Sequence, residues 1–585
     1  ADKVFKSTDR GQSWTEISGD MTRQIDRNKL EVMGRIWPMD AVQKNQSTSK
    51  YGNVVSLTES PLQQGLLFAG TDDGLIHITQ NDGQDWRTIK EFPGVPDRTY
   101  VSDIYASRHD PKTLFAAFDN HKSGDFKPYI LKSTNLGRSW TKISGDLPER
   151  GQVWTVVQDY KDPNLLFAGT DFSFFVSLDG GEHWKKLDNG LPTIAVRDIA
   201  IQKREDDIVL GTFGRGFYVL DDYAPLRKFT KQVKEQPAHL FPVPDARQYL
   251  TYSRIGASAS SGYYDPKGAQ GDTWYYGENP EYGAKITYYL EESIKTIEEQ
   301  REEREKKKFK DGEPVYYPEY EELKKERDEK PPYLIFTIKD QSGKVVRELR
   351  QPAKKGLRRV HWDLRFPDVA RVNKGDADPK KTSDEGIMVA PGSYTVEMSK
   401  SVNGKETKLT DPVSFEVETL NNLTLPPGNP AQVTEFQHQL MDLSRALNGA
   451  YRTVSELEDK IEYYLAAVKV VNDPQAKALR SEIYKMQDSL HAVEKKLRGD
   501  RIKRDLDMDR QPSIGDRINE AVYGNLGTVS TPTETQRRLA EIGRKQLKPL
   551  LNELRVLSNQ TAKRIEQRLD ELNAPWTPGR LPDFE

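Results

Sequence analysis

An eight-residue phrase, Ser/Thr-x-Asp/Asn-x-Gly-x-x-Trp, recurs four times in the first third of this chain and constrains its fold more than any other feature. The copies are Ser7-Asp9-Gly11-Trp14, Thr79-Asn81-Gly83-Trp86, Ser133-Asn135-Gly137-Trp140 and Ser177-Asp179-Gly181-Trp184. Each describes a tight hairpin. Asp9, Asn81, Asn135 and Asp179 accept hydrogen bonds from the backbone of their own turns, and the glycine supplies a positive φ. The tryptophan opens the next strand and is expected to bury its ring between adjacent units. Recurrence at fixed internal spacing means an array of like units.

Around these turns the chain divides into short strand-like runs punctuated by Gly, Asp-Pro and Asx signals. Three units, over 53–89, 101–143 and 153–187, have four runs each. A leading fragment, 4–17, has two, and a trailing unit, 195–220, has three. Four-stranded units in series are the blades of a β-propeller, which closes with roughly four to eight of them. Open sheet edges are an aggregation liability. The expectation is therefore that several blades come from elsewhere, as an N-terminal propeller half from the same gene product or as a partner chain. The alternative is a small ring closed locally, with Ala238–Phe241 completing the trailing unit. Ala1-Asp2-Lys3 leads directly into a strand, which reads as a mature terminus or as a chain with sequence upstream.

Bulk properties exclude several function classes. With 585 residues there is room for three or four domains. A net charge of −3 with evenly mixed signs leaves no electrostatic footprint for nucleic acid. No run approaches the ~18 apolar residues of a membrane span. Cysteine is absent, which removes disulfides, thiolate metal sites and cysteine nucleophiles.

Beyond residue 223 the pattern changes. Residues 224–282 read as an irregular connector rich in Gly, Ser and Tyr, as in the run Ser258 to Tyr264. Residues 283–420 give six or seven short strands, interrupted at 291–330 by a charged helical insertion, and suggest a β-sandwich. From Pro430 the period becomes 3.6. Phe436, Leu440, Leu443 and Leu447 begin one apolar stripe, Leu479, Ile483, Met486 and Leu490 another. Thr531-Pro532-Thr533-Glu534 opens a third helix through Leu572, with a kink expected at Pro549. Residues 421–585 thus read as an α-helical bundle.

The repeated turn is known as the Asp box or BNR repeat, and it resembles the outer turn of propeller blades. Asp340-Gln341-Ser342-Gly343, the run Gly356 to Arg365 and Pro391-Gly392-Ser393-Tyr394 resemble the immunoglobulin-like module of flagellar hook-capping proteins. Gly70-Thr71-Asp72-Asp73-Gly74, Ser177-Leu178-Asp179-Gly180-Gly181 and the run Gly211 to Asp222 together resemble the large exported BNR-repeat proteins of bacteria. Those are often labelled glycosyl hydrolases and are related to the propeller of the sortilin receptors. The cysteine-rich companion module of sortilins is missing. The resemblance implies an extracytoplasmic, non-catalytic interaction scaffold with a protein or peptide ligand. The alternative it implies is a glycoside hydrolase acting on a glycan through propeller carboxylates.

Candidate site residues follow the recurring Gly-Thr that ends each second strand: Asp72, Asp73, Asp171 and Arg215. All four are candidate ligand contacts. The three aspartates are the only candidates for catalysis, because glycoside cleavage needs two carboxylates about 5–9 Å apart across one substrate. No catalytic residue is assigned. His109-Asp110 with Asp119-Asn120-His121 could converge on a divalent ion, but Asp110-Pro111 is a turn signature, so no metal and no cofactor are expected.

Overall fold

The computed structural model describes residues 1–42, 44, 51–249, 280–372, 374–378, 380–383, 385–420, 428–526 and 528–581. The Gly/Ser/Tyr run around Ser258 lies outside them. Two units divide the chain, Ala1–Glu235 and Gln236–Glu585.

The first unit is a series of antiparallel sheets. A two-stranded ladder pairs β1 (Phe5–Lys6) with β2 (Thr15–Glu16). Three four-stranded sheets follow: β3 (Val54–Glu59), β4 (Leu67–Thr71), β5 (Ile76–Thr79) and β6 (Arg87–Ile89); then β7 (Tyr100–Ala106), β8 (Leu114–Asp119), β9 (Tyr129–Ser133) and β10 (Thr141–Lys142). The third comprises β11 (Val153–Gln158), β12 (Leu166–Thr170), β13 (Phe174–Ser177) and β14 (Lys185–Lys186). A three-stranded sheet ends the series with β15 (Val196–Gln202), β16 (Asp207–Thr212) and β17 (Phe217–Leu220). Consecutive sheets pack face to face, and their first strands β3, β7, β11 and β15 are neighbours in turn. This is a propeller-like arrangement.

Apolar content explains the stacking. One core joins Phe68, Ile76 and Ile78 to Val101, Ile104 and Phe118. Another joins Phe115 and Ile130 to Val156, Leu166 and Phe175. A third joins Phe167 and Phe174 to Ile199, Ile208 and Leu210. Strands of the middle sheets are buried on both faces, so Leu114–Asp119 reads as a continuous buried run rather than an alternation. Each first strand also carries a bulge at the same place, between Val54 and Ser56, Val101 and Asp103, Val153 and Thr155, and Val196 and Asp198. Such a bulge re-aims one side chain per strand.

The repeated turns are built as their composition requires. Asp9, Asn81, Asn135 and Asp179 each accept the backbone N–H four residues on, at 2.9–3.0 Å. The hydroxyls of Ser7, Thr79, Ser133 and Ser177 accept from the turn glycine at 2.7–3.0 Å. The glycine also touches the preceding sheet. A Cβ on Gly181, whose φ is +100°, would stand 2.8 Å from Ile143 Cβ. Gly181→Val should therefore lose roughly 2 kcal/mol or more, from left-handed strain plus overpacking. Gly190→Val, at φ +81° in open space, isolates the backbone part. Urea unfolding of the two variants checks the difference.

After β17 come two short helices, α1 (Pro225–Lys228) and α2 (Lys231–Lys234), within the stretch read as connector. The second unit begins with β18 (Ala238–Leu240), β19 (Ala246–Gln248) and β20 (Ala284–Leu290). β18 pairs with β20, at Ala238↔Leu290 and Leu240↔Tyr288. That overturns the local ring in which Ala238–Phe241 completes the trailing sheet. Its alternating burial suits either partner, and a pairing some fifty residues away leaves no local signal.

A charged pair, α3 (Ile297–Lys310) and α4 (Tyr320–Asp328), precedes β21 (Tyr333–Asp340), β22 (Val345–Pro352), β23 (Gly356–Trp362), β24 (Arg365–Pro367), β25 (Glu385–Met388), β26 (Gly392–Val402), β27 (Lys405–Lys408) and β28 (Val413–Thr419). Sheets β18-β20-β23 and β19-β28-β26-β21-β22 enclose one core around Trp362, Phe336, Tyr288, Met398 and Phe415. Helices α5 (Pro430–Lys469), α6 (Gln475–Arg498), α7 (Arg501–Asp505), α8 (Ile514–Leu526), α9 (Glu534–Val556) and α10 (Lys563–Glu571) follow, and all but α7 share a core. α9 passes through Pro549, and a π-helical segment, Leu557–Ala562, joins it to α10.

Candidate functional site

The repeat places equivalent residues of successive sheets at one rim. Thr71, Phe118, Thr170 and Thr212 occupy the same register against the first strands. The next residues, Asp72, Asp119, Asp171 and Phe213, therefore form a row across four sheets. The backbone N–H groups of Asp72, Asp171 and Phe213 each donate to the residue preceding the first strand, Asn53, Gln152 and Ala195. Bulge residues Val55, Ser102, Trp154 and Arg197 form a second row, at the inner edge of the same sheets.

Three of the expected residues have structural partners. Asp73 is fully buried; its carboxylate accepts from the Arg23 backbone N–H at 2.7 Å and the Thr71 hydroxyl at 2.5 Å. Asp72 accepts from the N–H groups of Gly52 and Asn53 and from the Asn53 side chain, at 2.7–3.2 Å. Asp171 holds the indole N–H of Trp154 at 2.6 Å. Arg215 is exposed in the β16–β17 turn.

Sequence reasoning missed the groups that Asp171 organises. Arg197 lies with its guanidinium carbon 3.4 Å above the Trp154 ring and 5.1 Å from the Phe213 ring. Phe213 is 70% exposed beside that stack, and Phe172, the residue after Asp171, is 52% exposed. On the other side, the His121 and Trp154 ring centroids are 6.0 Å apart. His121 Nδ1 meets Asp119 at 2.6 Å and 2.8 Å, which fixes the ring and leaves Nε2 without a hydrogen-bond partner among the described residues. Tyr100 completes the cluster. Burial pushes its hydroxyl up, Asp72 and Asp119 add to that, and Arg197 opposes it. A Trp at the second position of a strand otherwise rich in Val and Thr, followed one sheet later by Arg at the same register, was the available signal.

Chemically, this rim offers aromatic faces, one stacked guanidinium and hydrogen-bonding groups. The three expected carboxylates, Asp72, Asp73 and Asp171, are each hydrogen-bonded by their own loop or by a nearby backbone or side-chain group. His109 and Asp110 do not join His121 in a metal cluster: His109 Nε2 contacts the Asp159 carbonyl at 2.8 Å and Asp110 caps its own turn. Among the described residues the one group with metal-ligand spacing is Asp179, Glu182 and His183, in an exposed turn remote in register from the rim.

The chain matches no protein-family model and no curated protein. Solved structures give partial, distant matches. YCF48 bound to a D1 peptide is 13% identical, over 29% of this chain and 51% of that one, with a TM-score of 0.23. An ancestral GH74 enzyme is 14% identical over 49% and 34%, with 0.28. The β-propeller domain of Cps50 (Swd1) from Myceliophteria thermophila is 14% identical over 29% and 53%, with 0.23. The chain thus spans about half, or less, of the length of these structures.

Proposed function

We propose that this chain is a non-catalytic, extracytoplasmic interaction scaffold whose first unit is part of an Asp-box β-propeller, of the sortilin-like BNR type, that binds a protein or peptide ligand at the Trp154–Arg197 rim. One observation carries the reading: a guanidinium pinned over an indole, flanked by the exposed Phe213 ring, beside carboxylates already engaged. Aromatic and arginine side chains of this kind dominate protein-binding surfaces, and a stacked, immobilised guanidinium loses little entropy on binding. The immunoglobulin-like sandwich and the helical bundle of the second unit serve, in this reading, as docking modules.

A hydrolase reading has one feature in its favour, the repetition of Asp72, Asp119 and Asp171 at one rim position. Both readings are tested together. The purified chain is exposed to an array of random decapeptides and, separately, to xyloglucan and mucin glycans. Peptides should be retained, with affinity falling at least about tenfold in Trp154→Ala and Arg197→Ala, the scale of one cation–π contact. Sugar release that falls about a hundredfold in Asp171→Asn, with no peptide retained, would overturn the proposal in favour of the hydrolase.

A further inference from the structure

The repeated turn is a socket, and at three junctions the chain fills it itself. Trp86 Nε1 donates to the Ile17 carbonyl at 2.9 Å, and a Cβ on Gly83 would lie 2.5 Å from that same oxygen. Gly137 lies against Ile89 Cδ1, and Trp140 packs in the same core as Ile89. Trp184 Nε1 donates to the Ile143 carbonyl at 2.8 Å, its backbone N–H donates to Asp146 at 2.7 Å, and Gly181 abuts Ile143. In every case the knob is the isoleucine three residues after the tryptophan of the preceding turn: Trp14 to Ile17, Trp86 to Ile89, Trp140 to Ile143. Glycine makes room for the isoleucine at all three junctions, and at the first and third the indole N–H takes its carbonyl, whereas Trp140 packs without that bond.

The Ser7–Trp14 turn has the same glycine, the same hydrogen bonds and the same tryptophan, but no knob. A Cβ on Gly11 would meet nothing nearer than its own Trp14, at 3.8 Å, and Trp14 is 63% exposed against 4% for Trp184. At the far end of the series the complementary feature appears. Strands β5, β9 and β13 each pair with a fourth strand, whereas β17 has none among the described residues, and its Phe217 and Val219 are 74% and 51% exposed.

We propose that the Ser7–Trp14 turn is a docking socket for a partner polypeptide built from the same repeat, whose outer strand ends in Trp-x-x-Ile or Trp-x-x-Leu. The isoleucine or leucine seats against Gly11, its carbonyl accepts the Trp14 indole N–H, and the partner's own strands line the open edges of β1 and β17. The three filled junctions supply the seat and two of them the indole–carbonyl bond, and among the described residues of the repeats no spare knob remains: Ile17, Ile89 and Ile143 are all seated, and Leu187 packs against the core that includes β15.

The test tethers such a partner, which raises its effective concentration to the millimolar range so that a competent socket is filled. Ala1-Asp2 is replaced by a second copy of residues 100–172, so that an added sheet ending in Trp140-x-x-Ile143 precedes β1 with the spacing that residues 100–177 show. Hydrogen-exchange mass spectrometry over Ser7–Ile17 should show the Ser13–Ile17 amides slowing at least about tenfold, and acrylamide quenching of Trp14, read by difference against Trp14→Phe, should fall. Ile143→Asp in the added copy alone should abolish both changes. Unchanged exchange and quenching overturn the proposal, whether the added sheet folds apart from the turn or stays unprotected itself. So does protection that survives Ile143→Asp.

Discussion

Arg227→Ala should destabilise the first unit by about 3–5 kcal/mol at neutral pH, the cost of stranding buried charge when one partner of a buried pair is removed. The guanidinium reaches Asp159 through Nε and Nη2 at 2.9 and 2.7 Å, and Asp206 through Nη1 and Nη2 at 2.8 and 2.7 Å. Asp159 follows β11 and Asp206 lies in the β15–β16 turn, so one side chain on α1 ties the last two sheets together. Its surroundings complete the network: Tyr223 and Tyr160 donate hydroxyls to Asp159 and Asp206 at 2.5 and 2.6 Å. The Asp159 side chain is fully buried and that of Arg227 is 10% exposed, so water cannot replace the lost donor. Arg227→Lys keeps a charge but cannot serve two carboxylates in forked geometry, and should fall between the two. Urea unfolding, followed by hydrogen exchange over residues 153–223, measures the series.

The pH dependence gives this cost a signature. Burial pushes the Asp206 carboxyl up, but hydrogen bonds from Arg227, Tyr160 and Lys161 outweigh it and hold the group far below the usual carboxylate range; Asp159 is lowered in the same way. Depressed folded values mean that the stabilisation is complete above an unfolded pKa near ~4 and is lost as pH falls through the folded values. In Arg227→Ala the two neighbouring carboxylates lose the cation they share and, among the described residues, only Lys161, 3.1 Å from Asp206, remains, so both are pushed up. The difference between variant and wild type should therefore be largest at pH 7 and shrink below about pH 5. A constant difference would mean that Arg227 acts through packing alone.

The array was legible because its turns need particular atoms. A Cβ-free residue at positive φ and an Asx acceptor leave few alternatives, and the same four positions recur. Strand number per sheet followed from that spacing, including two strands at 5–16 and three at 196–220. The rim was only half legible. Asp171 was placed by the Gly-Thr signal, but its partner Trp154 and the Arg197 stacked on that indole both sit at bulges, and a bulge shifts register without changing composition. Asp73 looked equivalent to Asp72, yet one position along the loop turns inward and buries it against Arg23. Helix α8 went unnoticed although Ser513 and Asp516 bond each other's backbone N–H groups as a reciprocal cap before Ile514, Ile518 and Val522. Helix α9 continues through Pro549, where a kink is expected, and a π-helical segment begins eight residues later at Leu557, which no residue type announces.

Asp103→Asn should stabilise the protein at pH 7.5 by up to about 3 kcal/mol and leave it unchanged at pH 4, the reverse of the Arg227 pattern. Asp103 follows the bulge of β7, and its Oδ2 accepts from the Thr155 hydroxyl at 2.8 Å and the Val156 N–H at 3.0 Å, both on β11. The residue keeps a little contact with solvent, but protein surrounds the carboxylate on nearly every side, and that surrounding governs its proton affinity. Burial pushes it up to about 6, the bonds from Val156 and Thr155 pull it down, and Asp198, at the matching position of β15, adds to the rise. A folded pKa above the unfolded one means that the folded state holds the extra proton between about pH 4 and 6. Stability from this group is thus intact below the unfolded pKa and drains away as pH rises through 6, by about 1.4 kcal/mol for each pH unit that separates the folded and unfolded values. Asparagine retains the acceptor oxygen for Thr155 and Val156 without the charge, so its stability should be flat over that window. Because Asp159 and Asp206 move the total in the opposite direction, the informative quantity is the difference between the variant and wild type, measured by urea unfolding at half-unit steps from pH 4 to 7.5. A difference that does not grow with pH would show that solvent reaching the inner strands already relieves the Asp103 carboxylate.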